Sequence, residues 1–110
     1  MAKGFRLIQR GFDQSQSNVA SGTSIALAGG GRVYRVTGTT TINIIRAPAA
    51  GSPVVTLIFA ASVTVNDEGT SSGNLRLAGA ANFSATADDT LTLVWNQLDS
   101  KWHEAGRSVN

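Results

Sequence analysis

The sequence contains no cysteine. Disulfides, thiolate metal sites and cysteine nucleophiles are therefore excluded. Aromatic side chains are scarce, seven in 110 residues, and there is a single histidine. The longest apolar stretch is PVVTLIFAA (53–61), far short of the roughly 20 residues of a membrane helix. The opening MAKGFRLIQRGFDQSQS begins basic but lacks the apolar run of a signal peptide. No membrane partner is expected.

Small side chains are abundant instead. Ala, Gly, Ser and Thr make up 49 of the 110 residues. Each buries little apolar area, and burial is worth only about 25 cal/mol per Å². The length fits one domain, since domains cluster at roughly 100–150 residues, but its core is thin. Contacts with further subunits are expected to add to its stability.

The formal charge of +2 is unevenly placed. Up to Arg46 there are six basic residues (Lys3, Arg6, Arg10, Arg32, Arg35, Arg46) against Asp13 alone. After Arg46, three basic residues face six acids. A basic leading half suits an acidic partner surface. Direct nucleic-acid binding is not expected, because that calls for a denser patch with interleaved aromatics.

The patterning is β throughout. RVYRV, TINII, PVVTLIF, SVTV, LRL and TLTLVW are short runs of β-branched and large apolar residues. Gly, Asn, Asp, Ser and Pro clusters separate them, at 28–31, 37–39, 47–53, 66–74 and 86–89. No window sustains a 3.6-residue period. The expectation is an all-β fold, an antiparallel sandwich of jelly-roll type or a small barrel, over residues 23–110. SIALAG (24–29) echoes NLRLAG (74–79), and TINII (41–45) echoes TLTLV (90–94). A duplicated unit or one turn chemistry used twice would each explain this, but chance similarity among strands of such low complexity is the preferred reading.

Residues 1–22 read as an extended N-terminal arm, with an ordinary first strand of the same domain as the alternative. Lys3, Phe5, Arg6, Leu7, Ile8, Arg10 and Phe12 mix basic and apolar side chains, a composition that can add as a strand to a neighbouring protein.

Candidates for catalysis fail on spacing. AGGGR lacks the P-loop pattern and any following Lys-Ser/Thr. Asp67 and Glu68 sit in one turn, without the alternating oxygen ligands of a calcium loop. Asp88 and Asp89 fit another turn. No metal or other cofactor is expected, and the chain is not expected to be an enzyme.

The stretch TLTLVWNQLDSKWHEAGRS (90–108) concentrates both tryptophans, the histidine and several charges. A four-residue loop over QLDS pairs Asn96 with Lys101 and Trp95 with Trp102. Leu91, Leu93, Trp95, Trp102 and Glu104 then share one face, and Thr92, Val94, His103 and Ala105 the other. His103 and Glu104 point apart, which excludes an acid–base dyad between them. The stretch reads as a closing hairpin.

NLRLAGAANFSATADDTLTLVWNQLDSKWHEAGRS (74–108) resembles a recurrent β-module of tailed-bacteriophage structural proteins. There, an Asn-Phe turn precedes an Asp-Thr-Φ-Thr-Φ strand, and a Trp-led strand ending in Arg-Ser follows. TTTINIIRAPAAGSPVVTLIFAASVTV resembles the preceding strands, so the likeness covers about 37–108. It departs at Ala87-Asp88, where Gly-Asp is more usual. The resemblance implies a virion protein, commonly a homotrimer. A chain of this length, with its own Met and one module, suits a capsid decoration (cement) protein on the outer capsid surface, bridging copies of the major capsid protein. In that setting Lys3, Phe5, Arg6, Leu7, Ile8, Arg10 and Phe12 form the capsid-binding arm, with Arg32 and Arg35 as further basic contacts. Val54, Leu57, Phe59, Leu91, Leu93, Trp95 and Trp102 supply core or trimer contacts. The alternative is a small tail-fibre, tail-tip or host-recognition protein, with Tyr34, Trp102 and His103 near a carbohydrate-binding surface.

Overall fold

The computed structural model describes residues 16–27, 32–48 and 53–110. Within them the chain forms ten strands: β1 (Gln16–Ala20), β2 (Ser24–Ile25), β3 (Val33–Thr37), β4 (Ile44–Ile45), β5 (Val54–Phe59), β6 (Val63–Val65), β7 (Leu75–Arg76), β8 (Phe83–Ala85), β9 (Thr90–Asn96) and β10 (Lys101–Ser108). Two short 3₁₀ turns, Glu68–Thr70 and Ala78–Ala80, are the only helical pieces among the described residues. The all-β expectation holds.

Two-residue alternation builds each strand. Tyr34 and Val36 on β3, Val55, Leu57 and Phe59 on β5, Leu91 and Leu93 on β9 and Trp102 on β10 are buried. Their neighbours Arg35, Thr56, Ile58, Thr92 and His103 face outward. These strands belong to a six-stranded sheet of order β1-β3-β5-β9-β10-β7. Opposite its inner face lie two small pairs, β2-β4 and β6-β8, which contribute Ile25, Ile45, Val63, Val65, Phe83 and Ala85 to the same core cluster. An edge-to-face contact between Phe59 and Phe83, 6.0 Å between centroids, ties the large sheet to the β6-β8 pair.

Strand direction departs from the expected antiparallel arrangement. Antiparallel pairing holds for β5-β9, β9-β10 and β6-β8. Pairs β1-β3, β3-β5, β2-β4 and β7-β10 are parallel. The reason lies in the connections. A hairpin needs only a short loop, whereas a parallel return needs a dozen or more residues. Residues 21–32 between β1 and β3 provide that length and carry β2 on the way.

The early chain therefore winds in coils. Gln16 pairs with Val33 and Val33 with Thr56, offsets of 17 and 23 residues. Ser24 pairs with Ile44 at an offset of 20, and an isolated parallel bridge joins Ile42 to Val65 at 23. The β9-β10 hairpin then packs antiparallel on β5 and ends the winding. The segment expected as an arm, 1–22, includes β1, which forms one edge of the large sheet. The two sequence echoes differ in setting, since β2 pairs with β4 while β7 pairs with β10.

Candidate functional site

The stretch 90–108 folds as the expected hairpin. Asn96 pairs with Lys101, Trp95 with Trp102 and His103 with Val94, around the loop 97–100. The two indoles meet edge to face at 5.3 Å. Trp102 is fully buried, and its Nε1 donates to the carbonyls of Ile45 (3.0 Å) and Arg46 (3.3 Å). Trp95 packs half-buried against the core and donates to Gln97 Oε1.

One register shift alters the far end. A β-bulge between Glu104 and Gly106 sets Arg107 opposite Leu91. In an unbroken strand Glu104 and Arg107 would face opposite sides; the extra residue puts both on the inner side. The Arg107 guanidinium there lies 4.2 Å from the Phe83 ring centroid and donates through Nε and Nη2, each at 2.7 Å, to the two Glu104 oxygens. Glu104 Oε1 also accepts the Ala78 N–H. The Arg107 bonds hold the Glu104 carboxyl below its ordinary range against an opposing push from burial, and Glu104 raises Arg107 in turn.

The other described acids, Asp88 apart, are likewise committed to the fold. Asp67, buried at the start of a 3₁₀ turn, accepts the N–H groups of Gly69 and Leu77, each at 2.8 Å. This is the Asx-turn habit of an aspartate two residues ahead of glycine. Glu68 bridges two strands, with Arg76 Nε at 2.8 Å and Lys101 Nζ at 2.6 Å. Asp89, also buried, accepts from the Asn110 N–H, the Thr86 N–H and the Thr86 hydroxyl, and its carboxyl is held low first by Asn110 and then by Thr86. Burial pushes the Asp99 carboxyl up, but the bond to His103, 2.8 Å away, outweighs it with help from Lys101, so the group sits low. Asp88 is exposed at a turn position with φ of 71°. Among the described residues, no three of His, Asp and Glu converge where a metal could sit.

The other residues expected to function divide by depth. Leu57, Phe59, Leu91, Leu93 and Trp102 are core, whereas Val54 is 41% exposed on the outer side of β5. Tyr34 and Trp102, the aromatics weighed for a carbohydrate surface, are both buried, and His103 lies beside Asp99 on the outer side. Arg32 and Arg35 are exposed and make no ion pair among the described residues. The same is true of Arg46, a position the sequence marked only by its charge. Lys3, Phe5, Arg6, Leu7, Ile8, Arg10 and Phe12 lie outside the described residues.

Among the described residues, Arg32, Arg35 and Arg46 are exposed without an ion-pair partner, whereas Glu68, Asp99 and Glu104 each hold one. Comparison of the chain with known protein families and with curated proteins finds no match.

Proposed function

We propose that this chain is a non-enzymatic virion component of a tailed phage, a capsid decoration protein that binds the major capsid protein on the outer surface of the shell. The observation that carries this reading is the division of charge across the fold. Glu68 is spent on Arg76 and Lys101, Glu104 on Arg107 and Asp99 on His103. Arg32, Arg35 and Arg46 stay exposed without an ion-pair partner among the described residues. Such groups attract an acidic protein surface, speed encounter with it and fix its orientation.

The likeness of residues 74–108 to the phage module supports the virion as the place where that surface is found. Lys3, Arg6 and Arg10 extend the basic set into the arm, where Phe5, Leu7, Ile8 and Phe12 supply apolar contact. A homotrimer would present three such sets, and bridging several capsid subunits at once makes modest single contacts durable. Trimer contact falls to the outer side of the six-stranded sheet, where Val54 pairs with Val94 beside a hydrogen-bonded Thr56–Thr92 pair.

The test is rebinding. Purified protein is mixed with capsids stripped of it, and bound protein is measured by sedimentation. The intact chain should bind, and R32E/R35E and a deletion of residues 2–12 should each weaken binding while the β spectrum is kept. Binding to tails or host cells in place of capsids would sink the proposal.

A further inference from the structure

The hairpin tip stands at one end of the large sheet, and strand direction decides what gathers there. Strands β3 and β5 run parallel and β9 runs against them. The starts of β3 and β5, the end of β9 and the start of β10 therefore share that end. The Thr56 N–H donates to the Arg32 carbonyl just ahead of β3, and Trp102 Nε1 donates to the Arg46 carbonyl. Arg32 and Arg46, both exposed, thus lie toward the tip end, whereas Arg35 is further along β3, level with Ile58. The acids near the tip are matched, Asp99 by His103 and Glu68 by Arg76 and Lys101. The opposite end, where β9 begins and β10 finishes, carries Asp88, exposed and without an ion pair among the described residues.

The tip also presents Leu98, 96% exposed, against 69% for Val109 at the opposite end. One exposed apolar side chain is ordinary on a protein surface. The loop that carries Leu98 is held in shape, however. Asn96 accepts the Leu98 N–H through Oδ1 (3.0 Å) and the Ser100 N–H through its carbonyl (2.9 Å). Asp99 accepts the Lys101 N–H at 3.1 Å and meets His103 Nε2 at 2.8 Å, and Gln97 Oε1 accepts from Trp95 Nε1. A loop already in its docked shape loses little entropy on binding. Burying a leucine then returns the full gain of removing apolar area from water.

We infer that the hairpin-tip end is the end that faces the shell: Leu98 enters an apolar recess of the capsid protein, and Arg32 and Arg46 meet acidic groups around it. This rests on the decoration reading and adds to it which end of the molecule docks. Asp88 and Val109 then face away from the shell. Repulsion between Asp88 and an acidic surface biases encounter toward the tip end.

Matched changes at the two ends test this by sedimentation of the full-length protein with stripped capsids. L98D and R46E should each weaken binding by about tenfold or more. V109D, the same kind of change at the opposite end, should leave binding as it is. Leu98 and Val109 are both exposed, so Tm and the β spectrum should match those of the intact chain in either variant. L98D that binds as the intact chain does, or V109D that loses binding while L98D keeps it, overturns the proposal and leaves the decoration reading standing. An intact chain that binds no capsid overturns both.

Discussion

The Asn74 side-chain amide acts as a peptide group beside Ile45: its Oδ1 accepts the Ile45 N–H at 3.1 Å and its Nδ2 donates to the Ile45 carbonyl at 2.7 Å. Trp102 Nε1 donates to the same carbonyl. One asparagine and one tryptophan thus end the β2-β4 ladder and fasten it to the hairpin.

Asn74→Ala leaves the Ile45 N–H without a partner, while Trp102 still serves the carbonyl. An unsatisfied group of this kind costs about 1–3 kcal/mol. Urea denaturation should show that loss, and a cost under about 0.5 kcal/mol would argue that water replaces the amide.

Truncating the two tryptophans should have unequal effects. Trp102→Ala opens a cavity in the core and removes the donor to Ile45, so a cost of about 3–5 kcal/mol is expected. Trp95→Ala should cost clearly less, because Trp95 is only half-buried. Equal midpoint shifts in urea would contradict this depth assignment.

Acid should destabilise the protein through Asp89. Its folded carboxyl lies below the ordinary 3.8, because the Asn110 and Thr86 N–H groups favour the charged form. A depressed carboxylate contributes stability above its unfolded value and loses it as pH falls through the folded value. Tm should therefore decline as pH drops below about 4, and Asp89→Asn should flatten that decline. An unchanged acid limb in Asp89→Asn would assign the loss to Glu104 and Asp99, which are depressed as well.

Two glycines separate steric from conformational cost. A Cβ at Gly73 would run into the backbone carbonyl of Asn43, which cannot swing aside as a side chain can. At Gly79, with φ of 70°, a Cβ would meet nothing within 4 Å. Gly79→Ala should cost about 1–2 kcal/mol for the left-handed backbone alone, and Gly73→Ala more. The reverse order in thermal melts would refute the close approach of residues 43 and 73.

If the outer side of the large sheet is the trimer contact, V54E/V94E should yield monomers by light scattering. The Leu57 and Leu91 core beneath is untouched by that change and should stay folded. A trimer that persists would move the contact elsewhere.

Much of the hairpin was legible in advance. Alternation along TLTLVW and KWH, with a four-residue loop, set Trp95 against Trp102 and sent His103 and Glu104 apart. Legibility ended at the bulge near Ala105. Gly106, a lone glycine inside the strand, is a local sign of a bulge, but it does not say which side chains the shift brings together, so the meeting of Glu104 with Arg107 over Phe83 was out of reach. The hub roles of Asp67 and Asn74 were also missed. Asp67 carried a usable signal, since an aspartate two residues before glycine favours a side-chain-capped turn. Asn74 carried none, because its partner Ile45 is 29 residues away.

Although β1 fell inside the expected arm and β8 went unmarked, by itself the sequence determined that this chain is β, where most of its strands lie and, in the closing hairpin, which side chains share a face. Those are local properties: two-residue alternation and turn chemistry act within a few positions. Tertiary structure alone decided that β1, β3 and β5 run parallel, since alternation is the same in either direction. It also decided which charges are neutralised and which are left exposed. Glu68 reaches Lys101 only because the sheet brings distant strands together, and among the described residues it brings Arg32, Arg35 and Arg46 no acid. Pairing between distant segments depends on the whole packed core, and no short window of residues encodes it.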